Sequence, residues 1–414
     1  MNIDNIPSAV EQLAYGFRKV GQDESKVLAS KHCTEPVVLK QLIELSDHVV
    51  DKYGNSNVLA KIGPSGVYKE TYKQASVLPA FAQDDIFALI AAKSGCCGPK
   101  EEQKVFGLLT GVLAHVLTDR NNACGKRTVI YGSGINMNYL FYNTHIADMI
   151  ILDKCSGSHI LEYAASDSGS VNCIVLNKVN YDDKTHYQKP GPFSFLSHFE
   201  IAGTASHIAQ NSGRINTLVL NKVSSGSPAK GTASQFGRAG IVILNDIAGD
   251  CGADIARNKG TADMVLMNKL KCEMGPMFIA ADSGLVHFYA LQNSVGSEMA
   301  ALIAHEHGKI DVMLLDRVRA DNAIACGIGG KKGQVKKLVL SRVKAKLIAN
   351  NTKAKEIITG NAALQEYKIL SEQYKLEELV QLTESIDGKA PEEIMGIADS
   401  IALIYNAIAK ENFA

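Results

Sequence analysis

The chain has no tryptophan, and only 10 of its 414 residues are proline. Missing indoles remove the usual platform for stacking sugar rings. There is no excess of charge either: 43 basic residues face 43 acidic ones. No global field therefore gathers nucleic acid or an anionic membrane, and no arginine- or lysine-rich block supplies a local one. No run of about eighteen apolar residues marks a membrane span. The opening MNIDNIPSAVEQLAYGF has no basic start followed by an apolar stretch, so a cytoplasmic protein is expected. The nine cysteines are odd in number and unevenly spaced, with no CxxC pair, which predicts reduced thiols rather than a disulfide framework. P-loop, GxSxG, HExxH and zinc-finger spacings are absent, and GSG at 132–134 and GIGG at 327–330 are too sparse for a dinucleotide or phosphate site.

What the chain does have is a repeat. Residues 208–223 read IAQNSGRINTLVLNKV, residues 255–270 IARNKGTADMVLMNKL and residues 303–318 IAHEHGKIDVMLLDRV. Segments at 164–179, 279–294 and 328–343 fit the same frame. The last large apolar residue of each unit is Leu152, Leu176, Leu220, Leu244, Met267, Leu291, Leu315 or Leu340, at spacings of 24, 44, 24, 23, 24, 24 and 25. Seven positions earlier stands a glycine (Gly169, Gly213, Gly237, Gly260, Gly284, Gly308, Gly333), except in the first unit, which has His145. A glycine in register with a strand implies a corner that needs positive φ or has no room for a Cβ.

The apolar run after each glycine is too short for a helix and reads as a buried strand. A second apolar piece precedes the glycine, as in HIA at 207–209, DIA at 254–256 and MFIA at 277–280, giving two strands per coil. The fold expected is mainly β with α flanks: a parallel β-helix, a two-sheet solenoid of roughly 24-residue coils in eight to nine rungs. Pro228 and Pro276 fall between strands, and Pro190 and Pro192 lie in an irregular stretch, 180–198, that reads as a degenerate rung or a loop-out. The expected division is a helical region at 1–127, the β-helix at 128–352 and a helical tail at 353–414. The helical segments include SAVEQLAYGFRKVG, EPVVLKQLIELSDHVVDKY and PKEEQKVFGLLTGVLAHVLTDR in the first part and APEEIMGIADSIALIYNAIAKEN in the tail. The tail reads as an end cap or as a docking surface.

Three constellations could carry function. The strands end in polar pairs such as Asp153-Lys154, Asn177-Lys178, Asn221-Lys222, Asn268-Lys269, Asp316-Arg317 and Ser341-Arg342. Their first members could form a hydrogen-bonded ladder along one edge, and their second members a basic stripe for an acidic partner. His305-Glu306-His307 is the densest set of possible metal ligands. In a strand both histidines share a face; in a corner they are solvated. Among the cysteines, Cys96-Cys97 and Cys124 read as small turn residues or acidified thiols, Cys173 as core filler, and Cys326, beside glycines, as accessible to a ligand.

The order of helical region, two-sheet β-helix and helical tail resembles the SufB/SufD proteins of iron–sulfur cluster assembly. The resemblance implies β-helices that pair side by side and a transient iron–sulfur cluster served near the carboxyl end of the helix, where Cys326, His305, Glu306 and His307 stand. The family's HLEC-like and SHEAAVG-like segments are absent. The repeated turn glycines also resemble the β-helix domain of glutamate synthases, a structural spacer. The function expected is a non-catalytic scaffold for protein–protein assembly, with a protein partner or homodimer held through β-helix edge strands or helical flanks. The alternatives are a carbohydrate-active β-helix enzyme, a lyase or hydrolase, and a purely structural solenoid.

Overall fold

The structure, a computed structural model, describes residues 36–93, 98–180, 204–225, 228–251, 254–330 and 332–413. The helical reading of SAVEQLAYGFRKVG, the Cys96-Cys97 pair and Pro190 and Pro192 lie outside them.

The repeat folds as expected, into a parallel β-solenoid of about eight turns with helices before and after it. Its larger sheet holds ten strands in coil order: β1 (Val129–Ser133), β2 (Ile146–Asp153), β3 (Ser170–Asn177), β4 (Arg214–Asn221), β5 (Arg238–Asn245), β7 (Thr261–Asn268), β9 (Leu285–Gln292), β11 (Lys309–Asp316), β13 (Gln334–Ser341) and β15 (Ala354–Thr359). Every apolar marker pairs with the next, from Leu152↔Leu176 and Leu176↔Leu220 through Leu315↔Leu340. Because β3 bonds directly to β4, the 44-residue interval adds no rung to the sheet. Ten strands at about 4.8 Å per step make a rod roughly 43 Å long.

The second sheet is not built from the expected segments. It consists of β6 (Ala248–Cys251), β8 (Lys271–Met274), β10 (Val295–Met299), β12 (Arg319–Ile324) and β14 (Leu347–Ile348), each following a long strand. Four of these pieces are short and largely polar and the fifth, Leu347–Ile348, is only two residues long, so no apolar pattern announces them. The HIA, DIA and MFIA pieces instead form a third wall that is no sheet, because its residues alternate into the left-handed region. The pairs Ile160-Leu161, Ala164-Ala165, Ile208-Ala209, Ile279-Ala280 and Ile303-Ala304 are buried, and the second member of each has φ of 51–56°. Left-handed backbone costs an L-residue about 1–2 kcal/mol. Alanine, with the smallest side chain and little preference for strands, holds most of these sites.

The recurring glycine is explained by crowding. None of Gly169, Gly213, Gly237, Gly260, Gly284, Gly308 and Gly333 has positive φ; the two residues before each of the first six do, as in Asp282-Ser283 at 52° and 71°. A Cβ on Gly213 would lie 1.7 Å from the carbonyl oxygen of Ala165 in the coil below, and one on Gly284 would lie 1.6 Å from that of Ala256. The first unit escapes because a helix, not a coil, precedes it. There the His145 ring stacks on Tyr68, centroids 4.0 Å apart.

Among the described residues four helices precede the solenoid: α1 (Pro36–Tyr53), α2 (Ser56–Ser76), α3 (Gln83–Lys93) and α4 (Lys100–Ala123). They share one continuous core with its interior. Helix α4 is the central one, and Gly107 and Gly111 bring its backbone against the Tyr139 and Tyr142 carbonyls of the first coil. Helix α3 stands beside β1, where Gln83 Oε1 accepts from Tyr131 N at 3.2 Å. The first end of the rod is thereby covered.

After the rod come α5 (Gly360–Gln373), α6 (Leu376–Ser385) and α7 (Pro391–Asn412). They lie on the outer face of the ten-stranded sheet and form a second core. Val219, Ile243, Leu266 and Phe288 point outward from the strands to meet Leu370, Leu379, Ile401 and Tyr405, and Phe288 stacks on Tyr374 at 3.8 Å. Both faces of this sheet are thus buried, as its near-continuous apolar strands require. Among the described residues no helix is long and apolar enough to cross a membrane.

Candidate functional site

His305-Glu306-His307 forms a corner, not a strand. Glu306 and His307 have φ of 49° and 73°, and the carbonyls of His305 and Glu306 accept from Asp282 N and Ser283 N of the coil below at 2.9 and 3.0 Å. His305 Nδ1 stands 3.8 Å from Glu306 Oε1. The three residues border an open groove shared with Arg257, Phe278 and Asp282. Its main charges are paired: Arg257 Nε donates to Asp282 Oδ2 at 2.6 Å while the guanidinium lies over the Phe278 ring. Beside it, burial pushes the Asp254 carboxyl up to about 7, against the pull of Arg257 and Lys230.

Cys326 stands apart from that corner. It is half-buried, its Sγ lies 3.6 Å from the carbonyl of Ile324, and its own carbonyl accepts from Leu302 N. The residue stacked on His305 is Gly330, four positions further along the chain. Among the described residues no three or more His, Cys, Asp or Glu side chains are grouped to hold a metal ion. Cys326 and the His305-Glu306-His307 corner therefore do not form one such group.

The polar pairs at the strand ends do form a ladder. Asn177, Asn221, Asn245 and Asn268 each donate from Nδ2 to the Oδ1 of the coil before, beginning at Asp153, at 2.7–2.8 Å. Asn293 continues it at 2.6 Å. Asp316, next along this edge, is fully buried and takes Arg317 and Arg342. The basic stripe meets an acidic partner inside its own chain: Lys178 and Lys222 both bind Asp387, Lys269 binds Glu384 at 2.6 Å, and Arg342 lies over Tyr367. The stripe is therefore part of what holds the tail to the sheet.

An imidazole–phenol cluster, not foreseen from the sequence, joins α2 and α4 to the first coil. Tyr72 donates to Asp119 Oδ2 at 2.6 Å, that oxygen lies 3.2 Å from His115 Nε2, and His115 Nδ1 bonds Tyr68 OH at 2.9 Å. Tyr68 OH also accepts from His145 N. Desolvation lowers His115 and brings His145 to about 4, so both rings are neutral in the folded protein. Further along the third wall Tyr139 stacks on His159 and Tyr163 on His207. The recurrence of Tyr and His at matched wall positions was the available signal, but it shows only once the wall is aligned.

At the last coil, among the described residues, strand β15 pairs only with β13 and β14 only with β12, as β1 pairs only with β2 at the other end. Ile357 takes the register place of core residue Leu338, yet it is 46% exposed, with Leu347 at 52% and Ile348 at 43%. Among the described residues no further strand follows β15 or β14 in either sheet. No family model, curated protein or solved structure matches the chain.

Proposed function

We propose that this chain is a non-catalytic scaffold that recruits a protein through the last coil of its solenoid. The observation that carries this reading is the asymmetry of the rod's ends. One end is sealed by helices that share its core, while the other presents two strand edges and the apolar side chains Leu347, Ile348 and Ile357. An open strand edge is a template for another chain, and proteins that do not use it blunt it. Here the tail that could blunt it lies on the sheet face. The carbohydrate-enzyme alternative would require free carboxylates facing each other across a groove, and Asp282, the nearest candidate, is held by Arg257.

The test is a photo-crosslinking amino acid placed at Ile357 and, as a control, at Asp321 on the outer face of the five-stranded sheet, with the full chain expressed in its native cell. Protein adducts are expected from position 357 and not from 321. Equal yields at both positions, or none at 357, would remove the proposal.

A further inference from the structure

We infer that the partner recruited at the last coil is an acidic segment of another protein, held by lysines that ring that coil around Leu347, Ile348 and Ile357. This rests on the scaffold reading and names the chemistry of its partner. The even charge of the whole chain conceals one local imbalance, and the expectation of no lysine-rich block fails there. Residues 331–355 carry nine basic side chains and no acidic one, which leaves 34 basic against 43 acidic residues in the rest of the chain. Part of this charge is used within the fold: Lys336 binds Asp311 at 2.6 Å, Lys337 binds Glu366 at 2.9 Å and Arg342 binds Asp316 at 2.6 Å. Lys344, Lys346, Lys353 and Lys355 are exposed and, among the described residues, form no ion pair. The acid of this coil, Glu356, lies 4.0 Å from Lys337.

The four lysines stand on every wall of the final coil. Lys344 bridges to Arg319 where the chain enters the five-stranded sheet, and Lys346 precedes β14. The N–H of Lys353 donates to the Ile328 carbonyl of the third wall at 2.8 Å, and Lys355 lies within β15. Four like charges on one coil repel one another, a cost that the arrival of opposite charge relieves. Lysine along a strand edge also keeps identical ends apart, so the ring turns away a second copy of the coil and favours a partner of opposite sign. The exposed Leu347, Ile348 and Ile357 within it select a partner that carries apolar side chains among its acids. A nucleic acid fits less well, because residues 328–359 contain no aromatic side chain on which a base could stack. An anionic membrane fits less well too: about half of each apolar side chain is covered by the protein itself, whereas docking into a bilayer buries an apolar face about 5–10 Å deep.

The experiment repeats the crosslinking from position 357 of the full chain in two further backgrounds. One carries Lys344→Glu, Lys346→Glu, Lys353→Glu and Lys355→Glu together, and the other carries Lys→Arg at the same four positions. All four side chains are exposed, and circular dichroism checks that both variants fold. The yield of protein adducts is expected to fall at least about tenfold in the Glu background and to hold in the Arg background. Mass spectrometry of the adducts is expected to find a crosslinked segment with an excess of Asp and Glu. That segment, made as a synthetic peptide and titrated against the unaltered full chain, is expected to bind at least about tenfold more weakly at about 0.5 M salt than at about 0.05 M.

Protein adducts that form equally well in the Glu background, a crosslinked segment without that excess, or a peptide indifferent to salt overturns the acidic partner and leaves the scaffold standing. Adducts to nucleic acid or lipid in place of protein overturn the partner's class. No adduct from position 357 with its lysines intact removes the scaffold reading, and this inference with it.

Discussion

At the scale of single residues, the repeat glycine and the residue before it can be told apart by substitution. Gly284 has ordinary φ and no space, whereas Ser283 has space, being exposed, and a left-handed φ of 71°. Gly284→Ala must push two coils apart and is expected to cost roughly 2–3 kcal/mol or more. Ser283→Gly removes left-handed strain and is expected to be neutral or to stabilise by about 1 kcal/mol. Urea unfolding of both variants checks this; the opposite order would mean that φ, not crowding, places the glycine. The sequence located the glycine column and left its cause open between these two. The carbonyl that decides it belongs to an alanine in another coil, at a separation no local pattern encodes. The exception at His145 was also visible, but its reason lies in α2, through Tyr68.

At the scale of elements, eight strands of the larger sheet, β2 to β13, and their register were legible because burial on both faces leaves an unbroken apolar signature; β1 carried no marker, and the exposed β15 lies in the stretch read as helical tail. The second sheet was not, because Ala248–Cys251 and Lys271–Met274 are short and polar. The third wall was mistaken for strands because alternating left-handed and ordinary residues bury apolar pairs with much the same short pattern. The asparagine ladder was readable, since its members recur at fixed distance from the markers. In it each side chain both gives and takes one bond, so a gap injures two neighbours. Asn221→Ala leaves the Nδ2 of Asn245 and the Oδ1 of Asn177 buried without their partners. A loss of about 2–4 kcal/mol is expected, read as a lower midpoint in chemical denaturation, and a loss under about 0.5 kcal/mol would mean the ladder is incidental. The basic stripe shows the limit of reading such elements singly. Its acidic partner, Asp387 and Glu384, was present in the same sequence more than a hundred residues away.

At the scale of the whole molecule, the seal at the first end depends on neutral histidines. The His145 ring, facing Tyr68, His115, Lys69 and Asp167, titrates near 4 in the folded chain against about 6.5 unfolded. Below pH 6.5 the unfolded chain takes up a proton that the folded chain refuses, so stability falls with pH until about 4 and then levels, by about 3 kcal/mol from this ring. Depressed His115 adds in the same direction. Asp254 opposes them: its raised pKa makes the folded state gain stability as pH falls from 7 toward 4. The difference between the unaltered protein and His145→Phe, which keeps a ring for Tyr68, isolates the step. The variant's advantage is expected to grow between pH 6.5 and 4, and a difference that does not change with pH would mean the ring is not neutral when folded. A last consequence follows from the direct bonding of β3 to β4 across a 44-residue interval. The other steps from β2 to β13 use 23 to 25 residues and the two end steps 20 and 19, yet this one advances the rod by the same single strand spacing. The molecule therefore measures distance by counting repeats, and inserted sequence at that corner changes what the rod carries without changing how far it reaches.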